Sequence, residues 1–141
     1  LDVLEFAVSA LPAEAGTFMQ VSGLRFTVDP DIPSPVMKDT ETGMFSHVGE
    51  GERRVSHVEI LDKQSGEYKA VELSRQYTIA TLDYLILEQG GSGILSCVKP
   101  DSIYWGADIE VLRHYLESVL GGNIGSEYTQ PQGRIIYKYF N

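Results

Sequence analysis

The stretch with the clearest potential for chemistry is a glycine-rich loop, QGGSG at residues 89–93, which follows Tyr84. Closely spaced glycines let a backbone approach a ligand. Ser92 adds one hydroxyl that can donate or accept a hydrogen bond. No lysine follows at the spacing of a phosphate loop of the GxxxxGK[ST] type. The pattern therefore indicates backbone contacts to a ligand, and not a phosphate loop of that type.

Two aromatic residues accompany this loop. Phe18 follows Gly16 and Thr17 at the start of a predicted strand, and Tyr84 lies at a strand-to-helix junction just before the glycines. An aromatic ring on a rigid junction is suited to stacking on a flat ligand, and each base–aromatic stack contributes about 1–3 kcal/mol. On the pattern alone, burial of both rings in the core is the better interpretation, and stacking on a ligand is the alternative.

Metal and nucleophile chemistry find little support in the sequence. His47, His57 and His114 have no second ligand type at zinc spacing. The single Cys97 has no partner for an internal disulfide or a C-x-x-C pair. No serine lies in a G-x-S-x-G elbow. We therefore predict no catalytic residue, no metal site and no cofactor in this chain.

The charge balance restricts the partners. The 141 residues carry 20 Asp and Glu against 11 Lys and Arg, a formal charge of −9. This field repels nucleic acid and anionic membranes, and no run of residues is long and apolar enough for a membrane span. A small anionic ligand would need a local excess of cations. Arg25, Arg53 and Arg54 are clustered, but their strand setting predicts ordinary surface charges.

The elements that must position these residues are strands interrupted by isolated helices. The predicted elements are a helix over 1–11 ended by Pro12, a strand over 18–28 with a bulge at Gly23, a hairpin over 36–48, a strand from Val55 past Ile60 ended by a turn at 62–66, strands over 68–73 and 76–82, a helical turn over 83–89 capped by Asp83, a helix over 108–120 capped by Asp108 and ended by Gly121 and Gly122, and a strand over 133–140. This order favours a single α+β domain over 1–141, with a mixed, largely antiparallel sheet and a few packed helices. Because the sequence opens inside a helical pattern, we expect it to be a piece of a longer protein.

Three ordered segments carry a resemblance to a known family. GTFMQVSGLRFTVD at 16–29, RRVSHVEI at 53–60 and YTIATLDYLILEQGGSG at 77–93 resemble the C-terminal domain of the 5'-nucleotidase / UDP-sugar hydrolase family in order, spacing and flanks. The opening LDVLEFAVSALP is similar to the family helix that precedes the first motif. ADIEVLRHYLESVLGG and the later GRI are similar to its terminal helix and strand.

The resemblance implies a two-domain hydrolase of nucleotide catabolism that works in the periplasm, at the cell surface or after secretion. An N-terminal metallophosphatase domain with two divalent metal ions would precede this chain and perform the hydrolysis. The C-terminal domain would bind the nucleoside or nucleotide, with the base held between Phe18 and Tyr84 across an open cleft. Gly90, Gly91 and Ser92 would contact the sugar or base from the cleft rim.

Two departures from the family pattern support an alternative. Ser92 stands where the family usually has Asp, and the spacer LILEQ between Tyr84 and Gly90 is longer than usual. The alternative is a non-catalytic binding or scaffold domain with a degenerate nucleotide pocket. The intact Phe18 and QVSG segment favours the nucleotide-recognition domain.

Overall fold

The computed structural model describes residues 1–87, 93–95 and 106–138 of the chain. It divides into two compact units, one formed by Leu1–Cys97 with Gly133–Asn141 and the other by Val98–Gln132. The first unit contains the sheets and the residues that the sequence marks for ligand binding. Gly90, Gly91 and Ser92 lie outside the described residues.

The described elements follow the predicted order closely. They are α1 Asp2–Ala7, β1 Leu24–Val28, β2 Val36–Lys38, β3 Phe45–Val48, β4 Val55–Leu61, β5 Tyr68–Ala70, α2 Asp83–Leu87, α3 Asp108–His114, a π-helical turn Tyr115–Val119, a 3-10 turn Ser126–Tyr128 and β6 Ile135–Tyr137. Within the described ranges, none of the helices has the length and apolar character needed to cross a membrane.

The main sheet has four strands in the order β5-β4-β1-β6. Strand β4 is antiparallel to both β1 and β5, whereas β6 runs parallel to β1. A separate antiparallel hairpin joins β2 to β3. The prediction of an α+β fold with a mixed, largely antiparallel sheet is confirmed.

The core of the first unit lies between α1 and one face of the main sheet. Its buried cluster comprises Val8, Phe26, Val28, Val55 and Val58. Partly buried apolar residues pack around this cluster: Leu4, Leu11, Phe18, Val21, Leu24, Val71 and Ile135. The spacing Leu4, Val8 and Leu11 therefore marks the buried side of the opening segment, as its helical periodicity predicts.

Two buried charged side chains join α1 to the start of β4. The carboxylate of Glu5, 1% exposed, accepts hydrogen bonds from the backbone N–H groups of Arg54 at 3.3 Å and Val55 at 3.0 Å. The guanidinium of Arg54, 6% exposed, donates to the carbonyls of Val8, Ser9 and Leu11. Buried polar groups are tolerated when they are hydrogen-bonded. The burial of Glu5 and Arg54 is tolerated because each bonds to backbone groups of the segment that carries the other.

The hydrogen bonds of Glu5 and Arg54 show that two predictions from the sequence are wrong. The first helix ends at Ala7 and not at residue 11, because the carbonyls that follow it bond to Arg54 while the chain continues in turns. Arg54 was predicted to be a surface charge, and it is buried. Arg53 is exposed as predicted and donates to Asp2 at 2.9 Å.

The strand predictions are correct for the hairpin and β4 and wrong in two places. Strand β1 begins at Leu24, after Gly23 adopts φ 73°, so the bulge predicted at Gly23 is a turn into the strand. No strand forms over 76–82. After β5 the chain turns back on itself, since the Arg75 N–H bonds to the Glu72 carbonyl and the Glu72 N–H to the Tyr77 hydroxyl. Among the described residues, the alternating apolar side chains of 76–82 therefore have no neighbouring strand.

The second unit contains α3 and the turns that follow it. Ala107 and not Asp108 precedes the helix as its cap residue, and the Glu110 carboxylate accepts the Ala107 N–H at 3.3 Å. Asp108 is the first helical residue, as Asp83 is in α2. Gly121 and Gly122 have φ of 63° and 78° and end the helical segment as predicted.

A β-bulge lies where β1 and β4 pair. Arg25 pairs with Glu59 and Thr27 with Ser56, so His57 and Val58 both lie opposite Phe26. His57 has φ 49°, and it is the non-glycine residue with positive φ in the described chain. Left-handed backbone is costly for a residue with a Cβ atom, so this position would suit glycine.

We expect His57→Gly to stabilise the chain by about 0.5–1 kcal/mol, because the relief of left-handed strain exceeds the added entropy of the unfolded state. The control is His47→Gly at an exposed position of β3, where φ is not positive and the same change should destabilise by about 0.5–1 kcal/mol. Urea unfolding of both variants measures the difference. Equal destabilisation by the two changes would contradict the strain argument.

Candidate functional site

Phe18 lies on the segment between α1 and β1. Its backbone N–H bonds to the Ala15 carbonyl at 3.1 Å, which forms a turn just before the QVSG segment. The side chain is half-buried and packs against the core cluster around Phe26 and Val28. A ring anchored to the core on one side offers a rigid surface elsewhere, which is the property that a stacking residue needs.

The same ring lines an open depression of about 460 Å³. The lining residues come from the turn after α1, from the loop after β1 and from β6: Leu11, Pro12, Ala13, Glu14, Ala15, Phe18, Pro30 and Tyr137. Small-molecule sites commonly have volumes of about 300–1,000 Å³ and a mainly apolar lining with few polar groups. The depression meets both conditions.

Its charged and aromatic groups limit what it can hold. Glu14 is the charged residue of the lining, and no lysine or arginine is among the described lining residues. Tyr137 supplies a second aromatic side chain beside Phe18. The arrangement suits a flat, uncharged group with hydrogen-bond donors, whereas an isolated phosphate would meet a negative charge.

Tyr137 is a residue that the sequence analysis missed as a site residue. It was assigned to the last strand without a functional role. The parallel pairing of β6 with β1 brings Tyr137 opposite Val28, one residue before the loop that carries Pro30. Nothing in the local pattern of GRIIYKYF indicates that partner, because strand pairing over this distance depends on the whole sheet.

Tyr84 lies in α2, which starts at Asp83, and its side chain is 52% exposed. It is not among the residues that line the depression beside Phe18. The predicted pair of Phe18 and Tyr84 across a cleft stays a prediction, as does the contribution of Gly90, Gly91 and Ser92.

Comparison with protein families decides the class of the chain. The family model described as "5'-nucleotidase, C-terminal domain" matches residues 1–99. The chain belongs to the 5'-nucleotidase C-terminal domain family. Comparison with curated proteins and with solved structures gave no match.

The matched region of this 5'-nucleotidase C-terminal domain contains Phe18, Tyr84 and the glycine loop. Tyr137 lies beyond it, which is a second reason why family motifs do not indicate that residue. Among the described residues, no three His, Cys, Asp or Glu side chains come together as a possible metal site.

A second depression, of about 350 Å³, lies at the end of the β4–β5 hairpin. Asp62 is one of its lining residues, and the carboxylate accepts a hydrogen bond from the Lys69 ammonium and others from the backbone N–H groups of Gln64 and Ser65. Lys69 first, and then these two N–H groups, lower the pKa of Asp62 from 3.8 to about 2. The depression thus contains an internally neutralised pair at the base of a tight turn.

A comparable pair lies on the exposed face of the sheet. Arg25 Nε donates to Glu59 at 2.5 Å, and its guanidinium lies 4.4 Å from the centre of the Tyr68 ring. The hydrogen bond raises the pKa of Arg25 and lowers the pKa of Glu59. Arg25 is thereby engaged within the sheet, in agreement with its predicted role as a surface charge.

The lowered pKa of Asp62 predicts how the stability of the fold depends on pH. A carboxylate whose pKa is lower in the folded state stabilises the fold above its unfolded value of 3.8, and the contribution is lost as pH falls from 3.8 through about 2. We expect Asp62→Asn to remove this part of the acid-induced loss of stability, measured by unfolding at pH 2 to 5. We also expect Lys69→Gln to raise the titration midpoint of the Asp62 carboxyl carbon by NMR, because the ammonium is the largest cause of the shift.

The matched control is Lys63→Gln, which removes a positive charge from the same turn without removing the partner of Asp62. The Asp62 midpoint should then stay close to 2. An equal shift in the two lysine variants would show that general charge, and not the direct bond, sets the pKa.

Proposed function

We propose that this chain is the nucleoside-recognition domain of a 5'-nucleotidase-type phosphoester hydrolase that acts in nucleotide catabolism. It would present its substrate to a metallophosphatase domain of the same protein. The observation that supports the proposal is the depression beside Phe18, since a core-anchored aromatic ring that lies within the matched residues 1–99 lines an apolar site.

The lining supports recognition of the nucleoside part and not of the phosphate. Phe18 and Tyr137 supply aromatic surface for a base, and Glu14 supplies a carboxylate that can accept hydrogen bonds from ribose hydroxyls or a base amino group. No cation of the described lining would neutralise a phosphate. In the proposed two-domain protein, the metallophosphatase domain would hold the phosphate with its two divalent ions. These ions would polarise the phosphoryl oxygens and activate water.

We expect adenosine to perturb the NMR signals of Phe18 and its neighbours when it is titrated into the 141-residue chain. Phe18→Leu keeps most of the apolar packing on the core but removes the ring. Because a base–aromatic stack contributes about 1–3 kcal/mol, affinity should fall about 10- to 100-fold. AMP should bind no more tightly than adenosine, since the lining adds negative charge.

Comparison of two tyrosine variants identifies the aromatic ring that binds the base together with Phe18. A loss of affinity in Tyr84→Ala supports the base clamp predicted from the sequence, whereas a loss in Tyr137→Ala supports the depression as the base site. Tyr128→Ala, a partly exposed tyrosine of the second unit, is the control and should bind as the unchanged chain does. If saturating adenosine leaves all these signals unchanged, the scaffold domain with a degenerate pocket becomes the better interpretation.

We expect the isolated chain to release no phosphate from AMP above a blank, with or without Mn²⁺, Zn²⁺ or Co²⁺. Two-metal hydrolysis requires a clustered ligand set, and the described residues contain none. Measurement of inorganic phosphate from AMP with the pure chain tests this directly. Metal-dependent release that a chelator abolishes would contradict the proposed division between two domains.

A further inference from the structure

Arg54 connects two segments that are far apart in the sequence. Its Nη1 donates to the carbonyls of Leu11 at 2.8 Å and Val8 at 3.1 Å, and its Nε donates to the carbonyl of Ile32 at 2.5 Å. The backbone carbonyl of Arg54 accepts the N–H of Asp29 at 2.9 Å. One residue at the start of β4 thus holds the segment after α1 and the loop after β1.

Both segments line the depression beside Phe18, and we call them its two walls. Leu11 begins the lining stretch that runs to Ala15, and Pro30 is the lining residue of the other segment. Pro30 has no backbone N–H of its own to anchor it. The wall around it is held at Asp29 on one side and Ile32 on the other, and both anchors are hydrogen bonds to Arg54.

We propose that Arg54 is a positioning residue that sets the separation of the two walls and so the fit of the ligand beside Phe18. The role rests on the proposed nucleoside function. It depends on the fixed fork of a guanidinium, which presents several N–H donors in one plane and can serve carbonyls on both sides at once. A lysine ammonium keeps the positive charge but is a single point of donation, so it cannot hold both walls in the same geometry.

The main test uses Arg54→Lys in the full 141-residue chain, with adenosine as the probe. We expect the NMR signals of Leu11, Ala13 and Phe18 to shift in the absence of ligand, and affinity for adenosine to fall about tenfold. Arg53→Lys is the matched control, because Arg53 is the adjacent cation and bonds to Asp2 on the surface. It should leave both measurements unchanged.

A second control separates positioning from general stability. Val58→Ala removes core volume from β4, the strand that follows Arg54, at a residue that does not line the depression. At a temperature where all variants are fully folded, Val58→Ala should keep its adenosine affinity although its unfolding midpoint falls. Equal affinities for Val58→Ala and Arg54→Lys would overturn the positioning role.

Measurements on the unchanged chain cover the case in which Arg54→Lys does not fold. The Arg54 Nε–H signal should be protected from exchange with solvent and should shift when adenosine binds, because the walls adjust around the ligand. An Nε–H signal that saturating adenosine leaves unmoved would overturn the inference. If the unchanged chain does not bind adenosine, the proposed function fails. The inference is then decided by the NMR signals of Leu11, Ala13 and Phe18 in ligand-free Arg54→Lys, or in Arg54→Gln where the lysine variant does not fold. Shifted signals support the positioning role, and unmoved signals overturn it.

Discussion

The reciprocal bonding of Glu5 and Arg54 is the interaction on which the first unit depends. Glu5 of α1 satisfies backbone donors at the start of β4, while Arg54 at the start of β4 satisfies carbonyls after α1. Both side chains are almost fully buried. Loss of either side chain would leave buried backbone N–H or carbonyl groups without a partner, at a cost of about 1–3 kcal/mol for each unsatisfied group. The helix and the sheet are therefore connected by bonds that neither element could replace by itself.

This constraint explains why the site lies where it does. The helix ends at Ala7, and the carbonyls that follow it face Arg54. The chain then continues in turns that form one wall of the depression. Phe18 comes at the end of these turns and packs on the core beneath β1. The apolar cluster fixes the ring, and the buried arginine fixes the backbone around it. A site built in this way needs few residues of its own.

The sequence predicts those parts of the fold that depend on local pattern. The β2–β3 hairpin, β4 and the turn at Asp62 follow from alternation and turn residues, and the structure confirms them. The strand predicted over 76–82 is wrong, because alternation indicates a half-buried surface but not the neighbour that would cover it. Family motifs indicate Phe18 as a site residue. Arg54 lies in the RRVSHVEI motif, but the motif does not indicate its burial, since that depends on carbonyls more than forty residues away.

The parallel pairing of β1 with β6 has a consequence for the order in which the site is assembled. The two strands are separated by more than a hundred residues, so their pairing closes a very long loop and makes a non-local contact. Phe18, the turns after α1 and Pro30 are all synthesised early, yet Tyr137 joins them through the last strand described. During translation the chain would therefore expose an incomplete, apolar half-site. The lining of the depression becomes whole when β6 docks, so the proposed ligand binding would depend on completion of the sheet.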